Sequence, residues 1–172
     1  TLRILAGLET ADAGDVFIEG EIVNAVPPYR RDCNLVFQNH ALFPHMTVEE
    51  NIAYGLERKK VAKAEVRKRV GEMLEFMQLV DMESRYPVQL SGGQQQRVAV
   101  ARSLANSPSI ILADEPTGNL DKATGFQIIE LLRELNKSEG VTVITATHDH
   151  KMLNVSDRIA WVRDGQIERI QD

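Results

Sequence analysis

The stretch Ile110-Ile111-Leu112-Ala113-Asp114-Glu115 decides the fold. Four apolar residues in unbroken succession, closed by two carboxylates, read as a parallel strand buried on both faces. Asn34-Leu35-Val36-Phe37 is a second short apolar run of the same kind, and Val141–Ala146, rich in β-branched residues, is a third. Between Ile110–Ala113 and Val141–Ala146, Phe126, Ile129, Leu132 and Leu135 space a helix that Gly140 ends. Strand, helix, strand is a crossover unit, so the expected class is α/β with a parallel sheet. Two hairpin signals flank it: Val16-Phe17-Ile18 between Gly14 and Gly20, and Ile159–Val162 joined to Gln166–Ile170 through Asp164-Gly165. Residues 46–105 lack strong strand signals. Val66, Val70, Met73, Leu74, Met77 and Val80 predict an amphipathic helix over 62–80, with Lys and Arg on its early outer face. A further helix is expected from Ser91 to about Ala105. Pro27-Pro28 marks a loop.

Composition bounds the rest. The chain has 172 residues, 43% apolar and 26% charged, as ordinary folded domains do. Its net charge of −5 speaks against an extended nucleic-acid surface, and one cysteine, Cys33, allows no internal disulfide, which points to a reducing compartment. No apolar run approaches the ~20 residues needed to cross a bilayer, and no signal peptide is present. Thr1 stands where Met is usual, and Leu2–Leu8 reads as a helix body with no start signal, so the chain is expected to begin inside a domain.

Four features carry chemistry. Asp114 and Glu115 sit at a strand's carboxyl end, where parallel-sheet proteins bind ligands. There an acid can hold Mg²⁺ on a phosphate and its neighbour can take a proton from water; a solvated strand end is the plainer alternative. In Leu90-Ser91-Gly92-Gly93-Gln94-Gln95-Gln96-Arg97, Ser91 is a good N-cap and two glycines leave the amides of the first turn unshielded, an anion-seeking arrangement. Each glycine costs ~1 kcal/mol of helix propensity against alanine, so something is expected to approach closely. Thr147-His148-Asp149 follows the third strand, where a histidine could bond a phosphate oxygen or simply cap the strand. Gln38 leaves the first strand, where its amide could touch a metal or orient water.

Taken in this order, Phe37-Gln38, Leu90–Arg97, Asp114-Glu115-Pro116-Thr117 and Thr147-His148-Asp149 resemble the ATPase domain of ABC transporters. The octet matches that family's signature, Ile110–Glu115 its Walker B strand, Gln38 its glutamine loop, Gly118-Asn119-Leu120-Asp121 its D-loop and His148 its switch histidine. The resemblance implies a P-loop NTPase-like, RecA-like parallel sheet over roughly 1–45 and 106–172, with a small antiparallel β region and an inserted helical subdomain over 46–105. It implies ATP and Mg²⁺ as cofactors, with Asp114 and Gln38 at the metal. Glu115 would be the base and His148 would sit at the γ-phosphate. Ser91, Gly92, Gly93 and Gln94 of one copy would contact nucleotide held by the other, and Asp121 would bridge the two. The implied partners are a second ATPase domain, head to tail, and a transmembrane permease docked near His40–Thr47. No nucleic acid is implied. The location would be peripheral, on the cytoplasmic face of the membrane.

Two departures follow. No Gly-x-x-x-x-Gly-Lys-Ser/Thr loop occurs in these residues, and Thr1–Leu8 resembles the helix after it. Losing four charge-assisted hydrogen bonds costs about 6 kcal/mol, roughly four decades of affinity, so this chain alone is expected neither to hold nor to hydrolyse ATP. Second, Pro27–Leu56 resembles importers of sugars, polyamines or iron, whereas Pro116–Asp121 and the tail from His148 to Ile170 resemble exporters and lipoprotein-release ATPases. The alternatives are a related ATPase of DNA repair or chromosome complexes, and a non-catalytic docking fragment.

Overall fold

Three strands, β3 (Cys33–Val36), β4 (Ile110–Asp114) and β5 (Thr142–Ala146), form a parallel sheet with β4 at its centre. The computed structural model describes residues 1–148 and 150–172, and of residues 150 and 151 the backbone only. Upstream lie α1 (Leu2–Leu5) and an antiparallel pair, β1 (Phe17–Ile18) with β2 (Glu21–Ile22). Between β3 and β4 come α2 (Val48–Arg58), α3 (Lys63–Phe76) and α4 (Gly92–Leu104). α5 (Lys122–Glu139) crosses from β4 to β5, and after the short α6 (His150–Leu153) the hairpin β6 (Ile159–Arg163) and β7 (Gln166–Gln171) closes the chain. The protein is thus an α/β structure with a parallel sheet, as the strand–helix–strand pattern predicts.

The apolar run around β4 is buried because each face of the sheet is covered. Ile111 points into one cluster with Val36 of β3 and with Ile52, Leu56, Val98, Val100, Ile128 and Leu132 from the helices. Its neighbour Leu112 points the other way, toward Leu2, Ile18, Val23 and Cys33. This two-residue alternation puts both side chains at 0% exposure, each burial contributing about 1.5–3 kcal/mol.

Local chemistry sets the helix ends. Thr47 and Glu50 close a capping box on α2, Ser91 and Gln94 another on α4, and Asp121 caps α5. Gly140 ends α5 at φ 66°, a left-handed value glycine adopts without strain. The turn Asp164-Gly165 has φ of 48° and 77°, as a tight hairpin turn requires.

Several sequence expectations shift. The helix body expected over Leu2–Leu8 stops at Leu5, and Gly7 turns the chain at φ 76°. Arg31 donates from Nη1 to the carbonyls of Ile4 (2.7 Å) and Leu5 (2.9 Å), satisfying groups that a helix end leaves open. The helix of 62–80 ends at Phe76, so Leu79 is buried in place of the half-exposed Val80. Phe126 is 53% exposed and Ile128 takes its place inside, because α5 presents Ile128, Ile129, Leu132 and Leu135 as its inner stripe. Phe37 falls just beyond β3. The sequence singled out one helix between Gln38 and Ser91, whereas two α-helices are present there.

Candidate nucleotide and metal site

Strand register gathers the candidate residues. Val36 pairs with Ala113, and Asp114 pairs with Ala146. The three strands therefore end side by side, and Gln38, Asp114, Glu115, Thr147 and His148 leave the sheet along one edge. This is the carboxyl edge, where parallel sheets bind ligands.

Glu115 is the most constrained of them. Its φ of 47° is left-handed, unusual for a side chain with a Cβ. Hydrogen bonds hold that conformation: its N–H donates to Ala146 O (3.0 Å), and its carbonyl accepts from Gly118 N–H (3.0 Å). The carboxylate faces the third strand, with Oε1 2.7 Å from His148 Nδ1 and Oε2 accepting from Thr147 Oγ1 at 3.4 Å. The Glu115 side chain is 23% exposed and that of His148 87%, so water reaches the pair from the histidine side. Asp149, the last residue of that sequence motif, lies outside the described residues.

Gln38 lies against the same turn. A Cβ built on Gly118 would stand 3.1 Å from Gln38 Nε2, and Asn119 Nδ2 donates to Gln38 O at 3.0 Å. Asp114, at the last position of β4, is half-buried. One carboxylate and one amide suit Mg²⁺, which keeps most of its waters and takes phosphate oxygens rather than a protein cage. Among the described residues no group of three or more His, Cys, Asp or Glu could hold a metal alone.

The other half of the motif set sits at the start of α4. Ser91 Oγ accepts from Gln94 N–H (3.3 Å) and Gln94 Oε1 accepts from Ser91 N–H (2.9 Å). Ser91 and Gly92 are exposed, and the amides of Gly92 and Gly93 stand outside the capping box. The two glycines differ. A Cβ on Gly92 would meet only Leu120 Cδ2, at an ordinary 3.6 Å, whereas one on Gly93 would stand 2.3 Å from Thr124 Cγ2. The body that approaches Gly93 closely is α5 of the same chain. Asp121 is bound at home as well: its Oδ1 accepts from Ala123 N–H (3.0 Å) and Thr124 N–H (3.1 Å), and its Oδ2 from Thr124 Oγ1 (2.5 Å). The Thr124 hydroxyl first, and these amides with it, hold the Asp121 carboxyl below the usual aspartate range.

Residues the sequence reading passed over build the loop between the two halves. Asn51, fully buried, accepts from Phe43 N–H (2.9 Å) and donates to the carbonyls of Phe43, Met46 and Thr47. Arg102 donates to Ala41 O (2.8 Å) and His40 O (3.3 Å) and stacks over the Phe43 ring. The buried His40 Nδ1 bonds Gln96 Oε1. A buried Asn four residues into a capped helix carries no sequence signal; Thr124 was legible as the N3 partner of Asp121.

A three-stranded parallel sheet with a carboxylate pair at its edge, beside a glycine-started helix, defines a nucleotide-binding α/β domain. The model of the ABC transporter family matches residues 1–118, and the chain belongs to that family. It is 50% identical over 171 residues to the spermidine/putrescine import ATP-binding protein PotA of Acidothermus cellulolyticus and 51% identical to that of Thermobifida fusca. Each alignment covers 99% of this chain and 45% or 44% of the relative, so the chain spans about half the length of these curated relatives. A solved ATP-binding cassette, a dimer in a post-hydrolysis state bound to ADP and Pi, superposes with a TM-score of 0.86 at 39% identity, covering 99% of this chain and 78% of that one. The P-loop NTPase-like fold follows from that likeness.

Proposed function

We propose that this chain belongs to the ATP-hydrolysing domain of a polyamine importer, a domain that works as one of a pair. It would lie on the cytoplasmic face of the membrane against a transmembrane permease. The observation that carries this reading is the meeting of Glu115 and His148 at 2.7 Å on the edge where Gln38 and Asp114 also emerge. The import function named for the curated relatives supports polyamines as cargo, and the dimeric cassette supports the pair. Bound MgATP supplies a phosphoryl group open to attack by water.

Each residue then has a task that its position permits. Glu115, held rigid by its backbone bonds, accepts the proton of the attacking water. His148 fixes the Glu115 carboxylate and offers its ring to the terminal phosphate. Asp114 and Gln38 hold Mg²⁺ through few direct bonds. The free amides of Gly92 and Gly93 and the positive end of α4 stabilise charge on nucleotide bound to the other copy, with Ser91 and Gln94 keeping that helix start in shape. Asp121, at the head of α5 beside Gly93, lies where the copies would meet. The 172 residues contain no Gly-x-x-x-x-Gly-Lys-Ser/Thr loop, so by themselves they hold ATP negligibly and do not turn it over.

The test compares ATP hydrolysis by this chain and by a longer form that includes a phosphate loop. The longer form should hydrolyse ATP and lose 10²–10⁴-fold in rate on Glu115→Gln, while the 172-residue chain should be inactive. Turnover by the short chain that Glu115→Gln abolishes would overturn the inactivity. A longer form that folds, docks and never hydrolyses ATP would favour a non-catalytic docking module. A DNA-directed ATPase is the weaker reading: α2 and α3 have 11 and 14 residues, with no long coiled coil among the described residues.

A further inference from the structure

The corner between α2 and α3 carries charge that the fold does not use. α2 ends at Arg58, Lys59 caps it, Lys60 turns the chain at φ 58°, and α3 begins at Lys63. Residues 57–72 hold seven basic and three acidic side chains, a net +4 in a chain whose total is −5. Arg69 pairs with Glu65 at 2.7 Å and Lys68 with Glu72 at 3.9 Å. Arg58, Lys59, Lys60, Lys63 and Arg67 are exposed and make no ion pair among the described residues.

Helix electrostatics account for only part of this set. Arg58 and Lys59 complement the negative end of α2. Lys63, however, stands in the first turn of α3, where a positive charge opposes the helix dipole. Lys63 and Arg67 are four residues apart on that helix and repel each other. Lys60 takes a left-handed position at which glycine is the least strained residue. Among the described residues Lys60, Lys63 and Arg67 have no ion-pair partner, and an anionic partner would supply one.

We propose that this corner docks the chain onto an anionic phospholipid surface. No aromatic side chain occurs from 57 to 72, so the patch lacks the stacking platform that single-stranded nucleic acid uses. The negative charge of the rest of the molecule disfavours an extended duplex. The choice of a bilayer rests on the transport reading; the charge asymmetry stands without it. The site is distinct from the loop Phe43–Thr47, which lies at the other end of α2, about 16 Å away along the helix.

The experiment sediments the 172-residue chain with vesicles of phosphatidylcholine, alone or mixed with phosphatidylglycerol. Each basic residue near an anionic surface is worth about fivefold in partitioning, so five favour the mixed vesicles by an order of 10³. Binding should fade at about 1 M salt, where screening reaches roughly 3 Å. The triple variant Lys59→Glu, Lys60→Glu, Lys63→Glu should lose more than about 100-fold. Lys60→Gly should lose about fivefold without lowering the unfolding temperature, because the glycine relieves the turn. Equal binding to both vesicles, or a triple variant that binds like the parent, overturns the proposal. Duplex DNA binding as tight as the mixed vesicles does the same and assigns the corner to nucleic acid. Loss of vesicle binding with a Glu115-dependent ATPase intact in the longer form would remove the lipid docking and leave the transport reading in place.

Discussion

Gly93 and Thr124 meet so closely that a β-carbon on the glycine would lie 2.3 Å from the threonine methyl. The start of α4 and the first turn of α5 are thereby locked together within one chain, and Thr124 also holds Asp121 through its hydroxyl. One residue thus joins the start of α4 to the Asp121 carboxylate.

Gly93→Ala should destabilise the chain by about 1–3 kcal/mol, the usual cost of overpacking. Adding Thr124→Ser removes the methyl, keeps the hydroxyl on Asp121, and should recover most of that loss in a thermal or denaturant melt. Gly92→Ala meets only an ordinary contact and should be neutral or raise stability by up to ~1 kcal/mol. If it nevertheless weakens ATP hydrolysis in the longer form, bare backbone at Gly92 serves the nucleotide and not the fold.

Asn51→Ala should be the costliest of the polar substitutions. It leaves the backbone of Phe43, Met46 and Thr47 without the buried amide that binds it, an expected loss of about 2–3 kcal/mol. Hydrogen exchange at Phe43 should speed up well beyond that of α4.

Arg102→Lys tests whether the same loop needs a forked donor. Burial pulls the Arg102 pKa below its usual value, yet the group remains charged because a guanidinium scarcely deprotonates in proteins. A lysine cannot reach Ala41 O and His40 O together while stacking on Phe43, and about 1–2 kcal/mol should be lost.

Asp121 gives a pH dependence of known sign. Its folded pKa is lower than its unfolded one, so the stability it contributes is present above the unfolded value, near 3.9. That contribution is lost as pH falls through the folded value. Helix α5 should loosen first in acid, followed by circular dichroism. Asp121→Asn, which can still cap but does not titrate, should flatten that part of the profile.

Much of this was legible in the chain. The apolar run Ile110–Ala113, the N-cap Ser91 and Gly140 are local signals, because strand burial, helix starts and left-handed turns depend on residues within a few positions. The motif order Gln38, Ser91–Gln94, Asp114-Glu115, Asp121, His148 was legible for the same reason. Inner and outer faces were harder: Phe126 fits a helical period but lies on the exposed face of α5, and Val80 lies beyond the end of α3, since packing against neighbouring elements decides which stripe of a helix is covered and where the helix stops.

Long-range pairings belonged to the tertiary structure alone. Sequence by itself picked out the residues proposed to bind phosphate, metal and water. That Glu115 Oε1 meets His148 Nδ1, that Gly93 admits Thr124 and not a side chain of its own, and that Asn51 and Arg102 fasten the loop after Gln38 required the strands to come into register and the helices to pack. Those contacts join residues whose separation along the chain carries no periodic signal, and their geometry is fixed only when the apolar faces of distant elements share one core.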